Sequence, residues 1–125
     1  MHIKKPAKTN SAAHIAAAFR YSISGLRTAS GETAIRHELV IAAVHTAAMF
    51  LVEMPLVCRI LLTSMLGWLL TVELLNTAIE AVVDLASPEW SRLAKKAKDL
   101  GSAAVFCSLA TFLLGWGAVL AGGVR

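Results

Sequence analysis

Charge is scarce in this chain. Only 16% of its 125 residues are charged while 57% are hydrophobic, whereas a soluble domain carries about 25% charged residues. That balance excludes an ordinary soluble domain and points to lipid as part of the solvent. Cysteine is equally scarce. Cys58 and Cys107 show no framework spacing, so they read as buried free thiols rather than a disulfide. There is no Walker A pattern, no Gly-rich kinase loop and no GxGxxG, so any nucleotide chemistry must use another kind of site. His14, His37 and His45 lack the spacing of a transition-metal ligand set, and His45 reads as a helix-packing residue. The chain carries a net charge of +4, yet its basic residues are not interleaved with aromatics as in a nucleic-acid reader. They fit anionic headgroups or a phosphate-bearing substrate better. No repeat or low-complexity tract occurs. Lys4, Lys5 and Lys8 are not followed by the apolar run of a signal peptide.

What the chain does have is apolar length. Residues 1–11 are polar, and disorder is expected there. Over 12–30, Ile15, Phe19, Ser22, Ile23 and Leu26 fall on one helical stripe, with His14, Arg20, Ser24 and Arg27 elsewhere. This pattern suits a helix lying in a membrane interface, or a helix packed on a soluble core. Ser30-Gly31 breaks it. The first apolar block, Leu39 to Val52, is about 21 Å of helix, short for a hydrocarbon core of about 30 Å. It spans only if the helix begins near Thr33, and Pro55 is expected to end it, giving a span over 33–54. A second span covers 57–84. Ser87-Pro88-Glu89 then reads as a helix start, with Ser87 as N-cap and Pro88 in the first turn. A short Lys-rich helix leads to a third span over 100–123, whose Gly, Ala and Ser residues suit close packing in lipid.

Counted against the apolar blocks, six Lys and Arg residues precede Leu39, one (Arg59) lies between Val52 and Ile60, four lie between Val83 and Leu100, and Arg125 ends the chain. The asymmetry puts the N-terminus and the loop after Asp84 in the cytoplasm. The expected architecture is all-α and polytopic: three transmembrane helices and an N-terminal amphipathic surface helix.

The second span carries Glu73, Asn76, Glu80 and Asp84, spaced by three, four and four. At about 100° per residue they share one narrow face. A charged residue deep in a span costs about 2.5–3.5 kcal/mol, so partner helices, a cation or a polar substrate must offset it. Counted from Arg59, Glu80 lies about 30 Å along, at the cytoplasmic boundary, and Glu73 about 10 Å deeper. One carboxylate can meet water-borne species while another reaches lipid depth. Two readings stay open: a reaction site between a cytosolic reagent and a lipid, or a network that specifies oligomerisation. Lys95, Lys96 and Lys98 likewise read as topology determinants or as a phosphate site.

The run Glu73-Leu74-Leu75-Asn76-Thr77-Ala78-Ile79-Glu80-Ala81-Val82-Val83-Asp84 closely resembles the signature of the prokaryotic diacylglycerol kinase family. Ala94-Lys95-Lys96-Ala97-Lys98-Asp99 with Gly101-Ser102-Ala103-Ala104-Val105 resembles its second segment. Tyr21-Ser22, Gly25-Leu26-Arg27, Glu32 and Arg36-His37-Glu38 resemble its N-terminal part. The resemblance runs from about residue 14 to the end. It implies a homotrimer in the bacterial inner membrane, with composite sites between subunits, that transfers the γ-phosphate of MgATP to diacylglycerol. It further implies that Glu73 is the general base and that Glu32 and Glu80 hold Mg2+. Tyr21, Glu89, Lys98 and Asp99, with those two carboxylates, would bind ATP. Arg36, Glu38, Asn76 and Ser102 would contact the lipid substrate beside Glu73. Such a division suits phosphoryl transfer, which depends on charge neutralisation and positioning, and a carboxylate withdrawn from water is a stronger proton acceptor. The chain departs from the family pattern at His14 and Ala17, where a basic residue precedes the tyrosine and only Arg20 adjoins it here, and at Ser91, where a His is usual. A related branch phosphorylates undecaprenol. Glu32, Arg36 and Glu38, with Gly101-Ser102-Ala103-Ala104, look more like the diacylglycerol branch.

Overall fold

The computed structural model describes residues 11–122; the segment before them, including the stretch expected to be disordered, lies outside the described residues, as does Arg125. Helices α1 (Ser11–Ala29), α2 (Thr33–Leu51), α3 (Leu56–Ala86) and α4 (Arg92–Leu120) follow one another with short connections. No strand occurs among the described residues. α2, α3 and α4 are each long and apolar enough to cross a membrane.

The first half of the apolar stripe of α1 has no protein cover, while Leu26 further along is half exposed over the groove to α3. Ile15 and Phe19 are about two-thirds exposed, as expected of a face that rests in lipid. Its hydroxyls turn back onto their own helix: Ser22 Oγ donates to the Ala18 carbonyl and Thr28 Oγ1 to that of Ser24, both at 3.1 Å. At its C-terminus the amides of Ser30, Gly31 and Glu32 reach the carbonyls of Leu26, Thr28 and Ala29 at 3.0, 3.1 and 2.9 Å. The helix therefore tightens into a turn at Ser30-Gly31, and α2 leaves in a new direction with Glu32 at its N-cap.

α2 has 19 residues, about 28 Å of rise, just enough to cross the hydrocarbon core. It stops at Leu51, short of the residue 54 expected from sequence, because Val52 is extended. The guanidinium of Arg59 donates to the carbonyls of Met49 and Val52 and so caps the end of α2. Pro55 does not terminate α2; it is the N-cap of α3, and its carbonyl accepts from the amides of Cys58 and Arg59 at 3.0 and 3.3 Å.

α3 has 31 residues, about 46 Å, and so overruns the hydrocarbon core by roughly three turns. The expected helix start at Ser87 is corrected. Ser87 is the C-cap of α3, its amide bonding the Val83 carbonyl at 2.8 Å. Pro88 holds the residue before it out of the helical region. Ser91 is the true N-cap, accepting from the Ala94 amide at 3.0 Å. From there α4 is continuous, so the Lys-rich segment forms its first two turns rather than a separate helix.

α3 and α4 pack antiparallel along most of their length. Gly101, Ser108 and Phe112 form the inner face of α4, and Cys58, Leu62, Leu69, Glu73 and Asn76 that of α3. These intervals of three, four and seven are those of helices crossing at a shallow angle. α2 joins through Ile35, Glu38 and His45. His45 ties all three spans together. Trp116 Nε1 donates to its Nδ1 at 3.3 Å, which makes Nε2 the protonated nitrogen, and Nε2 lies 3.2 Å from Thr63 Oγ1. Phe112 and Trp116 flank the ring at centroid distances of 5.5 and 5.6 Å.

The buried apolar set is small: Ala29, Ile35, Cys58, Leu62, Leu69 and Phe112. Large apolar side chains such as Phe50, Phe106 and Leu114 point outward, which water would penalise and lipid does not. Both cysteines are free, as expected, but only Cys58 is buried. Cys107 is exposed and lines a shallow groove between α3 and α4 with Leu61, Met65 and Trp68.

Candidate functional site

The 3.6-residue period of α3 aligns Glu73, Asn76, Glu80 and Asp84 along one face. Glu73 is 5% and Asn76 8% exposed, while Glu80 is half-buried and Asp84 exposed. The face therefore grades from protein interior to water within three turns. Asn76 Nδ2 donates to Glu80 Oε1 at 3.2 Å. From α2, Glu38 is buried and within electrostatic reach of Glu73, as Glu73 is of Glu80. Glu38 Oε2 and Asn76 Oδ1 are buried with no hydrogen-bond partner. Isolated buried polar atoms are expensive, so these two atoms cost the fold stability as they stand.

The water-side end carries the charges. Lys98 Nζ lies 2.5 Å from Asp84 Oδ1, and Lys95 Nζ lies 2.5 Å from Asp99 Oδ2. All four side chains are 40–65% exposed, so each pair contributes little to stability and its members can exchange partners. Together with Glu89 and Trp90 they line a cleft of about 370 Å³ between the end of α3 and the start of α4. The N-terminus of α4 opens onto it, adding backbone amides and the positive end of the helix dipole.

A larger groove, about 670 Å³, runs between α1 and α3. It is lined by Ser22, Gly25, Leu26, Ala29 and Glu32 on one side and Leu74, Thr77, Ala78 and Ala81 on the other. Those α3 residues are rotated by roughly 100° from the carboxylate face. Glu32 therefore faces a different side of α3 from Glu80. Within one chain Glu38, Glu73, Asn76 and Glu80 come together, and Glu89, Lys98 and Asp99 gather separately. Glu32 lines the α1–α3 groove, to which Glu80 does not contribute. Tyr21 is 72% exposed, Ser102 is exposed, and Arg36 Nε reaches back to the Ser30 carbonyl at 3.5 Å. Among the described residues no three His, Cys, Asp or Glu side chains group as a metal site.

Sequence reasoning placed Asp84 on the carboxylate face but did not anticipate its pairing with Lys98, because the partner depends on how α4 leaves the loop. Gly101 read there as a packing residue and as part of the family-like segment, with no role toward Asn76. A Cβ there would collide with the side-chain oxygen of Asn76, and no pattern in the chain reports such a cross-helix approach.

The model of the family described as prokaryotic diacylglycerol kinase matches residues 20–120. The chain is 37% identical over 114 residues to the diacylglycerol kinase of Haemophilus influenzae, covering 90% of this chain and 97% of that protein. It is 40% identical over 103 residues to that of Pseudomonas aeruginosa, covering 82% and 84%. To that of Escherichia coli K12 it is 38% identical over 97 residues, covering 77% and 80%. The matched region contains all of α2, α3 and α4, the whole carboxylate face and both lysine pairs, and on these grounds the chain belongs to the prokaryotic diacylglycerol kinase family.

Proposed function

We propose that this protein phosphorylates 1,2-diacylglycerol at the expense of ATP, giving phosphatidic acid and ADP at the cytoplasmic face of a bacterial inner membrane. The observation that carries the reading is the single face of α3 on which a buried carboxylate, Glu73, lies about three turns from the water-exposed Asp84–Lys98 pair. A lipid hydroxyl arrives at the depth of the first, and a nucleotide enters at the level of the second with its γ-phosphate directed along the face toward Glu73.

The residues divide the work as follows. Lys98, released from Asp84, meets the phosphate oxygens, with the α4 amides behind it and Asp99, Glu89 and Tyr21 around the nucleotide. Glu73 accepts the proton of the lipid hydroxyl as its oxygen bonds to the γ-phosphorus. The bond from that phosphorus to the β,γ-bridging oxygen breaks, and the pair leaves with ADP. Asn76 orients the carboxylates, and Glu38, Arg36 and Ser102 bound the lipid headgroup. Glu32 and Glu80 offer hard carboxylate oxygens of the kind Mg2+ prefers, and one oxygen of Glu80 remains free of its bond to Asn76. When bound, the cation neutralises charge on the transferring phosphate.

Glu32 lines the α1–α3 groove and Glu80 does not, so in this reading the complete site takes Glu32 from a neighbouring copy. A homotrimer with composite sites supplies it, and would also cover part of the exposed apolar surface. The Lys and Arg asymmetry supports a cytoplasmic N-terminus.

The test is ATP-dependent phosphorylation of diacylglycerol by purified protein in mixed micelles, with undecaprenol as the competing acceptor. Diacylglycerol should react much faster. Glu73→Gln should lower turnover by about 10²–10⁴-fold, the contribution of a general base, while leaving MgATP binding intact. Glu80→Gln should raise the Mg2+ concentration required as well as slow turnover. Loss of MgATP binding in Glu73→Gln, with turnover preserved at saturating Mg2+, would reverse the two roles.

A further inference from the structure

The side chain of Asn76 is spoken for at one end and cornered at the other. Its Nδ2 donates to Glu80 Oε1 at 3.2 Å. A carboxylate can only accept, so this bond fixes which end of the amide is which. Oδ1 is thereby turned toward α4, where it is buried and unpartnered. The position it faces is Gly101. A Cβ built there would lie 3.2 Å from Asn76 Cγ and closer still to Oδ1. No side chain other than hydrogen leaves room for the amide in its present orientation.

The obstruction is of a particular kind. The atoms met are those at the end of the Asn76 side chain, not backbone, and its β-carbon is 3.9 Å away. An added methyl group can be accommodated if the amide rotates away, at small cost to the fold and at the expense of the bond to Glu80. Gly115, further along the same helix, provides the contrast. A Cβ there would meet Leu62 Cδ2 at 3.0 Å and the Met65 thioether at 3.1 and 3.2 Å, all apolar packing atoms remote from any carboxylate.

We propose that Gly101 is a positioning residue for the kinase site: by lacking a side chain it holds the Asn76 amide in the orientation that orders the carboxylate of Glu80. Gly101 touches neither nucleotide nor lipid in this scheme; it acts through Asn76 alone. The proposal rests on the assignment of Glu80 to the divalent cation made above.

The experiment is a double-mutant cycle on the full-length protein in detergent–lipid micelles. Gly101→Ala, Asn76→Ala and the double variant are compared by Mg2+ titration, turnover and thermal unfolding. Gly101→Ala should raise the half-saturating Mg2+ concentration by about tenfold, as loss of one hydrogen bond to a charged group implies, and should unfold near the parent temperature. With Asn76 already truncated, adding Gly101→Ala should change nothing further, because the group it displaces is gone. Gly115→Ala should alter unfolding and leave the Mg2+ requirement where it was. Additive effects of Gly101→Ala and Asn76→Ala, or an unchanged Mg2+ requirement in Gly101→Ala, would overturn the proposal. Should Gly101→Ala not fold, the double variant has space for the methyl group and must fold with the Mg2+ requirement of Asn76→Ala; a double variant that also fails to fold overturns it. Glu80→Gln, run in parallel, separates the premises. If it leaves the Mg2+ requirement unmoved, Glu80 is not a cation ligand, while non-additivity in turnover still reports the link from Gly101 to Asn76.

Discussion

Replacing His45 tests whether the three spans are held by polar contacts or by bulk. The ring is 5% exposed and bonded on both nitrogens, to Trp116 and Thr63. Hydrogen bonds between membrane helices average about 0.6 kcal/mol each, so two contribute about 1.2 kcal/mol. The two aromatic neighbours add about 0.5–1.5 kcal/mol apiece. His45→Ala removes all of these and leaves a cavity, so a loss of about 2–4 kcal/mol is expected. His45→Phe keeps the volume and the ring contacts. Thr63 can turn its hydroxyl to the carbonyl four residues back, as Ser64 and Thr71 do, but the Trp116 N–H has no such alternative. The Phe variant should therefore lose only about 1–2 kcal/mol, chiefly the stranded indole N–H. Unfolding by SDS titration in mixed micelles, followed by near-UV circular dichroism, ranks the three proteins. Thr63 lies ten residues from Glu73, about 15 Å along α3, so the Mg2+ requirement of both variants should match the parent. Equal stability of the Ala variant and the parent would refute the clamp. A Phe variant less stable than the Ala variant would show that the network, not the packing, carries the energy.

Three further outcomes follow from the geometry. Lys98→Met should depress turnover and weaken ATP binding, yet shift unfolding by less than about 1 kcal/mol, since its pairing with Asp84 is solvent-exposed; a large loss of stability would make the pair structural. Crosslinking in mild detergent should trap species up to a trimer, and mixing Glu73→Gln with Glu32→Gln subunits should recover some activity through interfaces that combine intact groups. A fully active monomer would refute the composite site. A reporter active only outside the cytoplasm should score positive when fused after Arg125, and a cytoplasmic signal there would contradict the assigned orientation.

The sequence by itself determined the class of the fold. Three apolar stretches in a chain with so little charge can satisfy their backbone groups in lipid only as helices, and a local period of 3.6 residues places Glu73, Asn76, Glu80 and Asp84 on one face whatever surrounds them. Helix ends were less legible. Ser87 and Ser91 both have the chemistry of an N-cap, and Pro55 that of a terminator; which role each takes depends on where neighbouring helices end. Arg59 shows why, since it caps α2 from the first turn of α3. Tertiary structure alone decided the contacts that cross between helices: His45 with Thr63 and Trp116, Asp84 with Lys98, and Asn76 against Gly101. Each joins positions far apart in the chain or set by a loop angle, where local propensity and periodicity carry no information. The placement of Glu32 in the α1–α3 groove belongs with these, because it follows from the side of α3 on which α1 settles, a matter of packing and not of pattern.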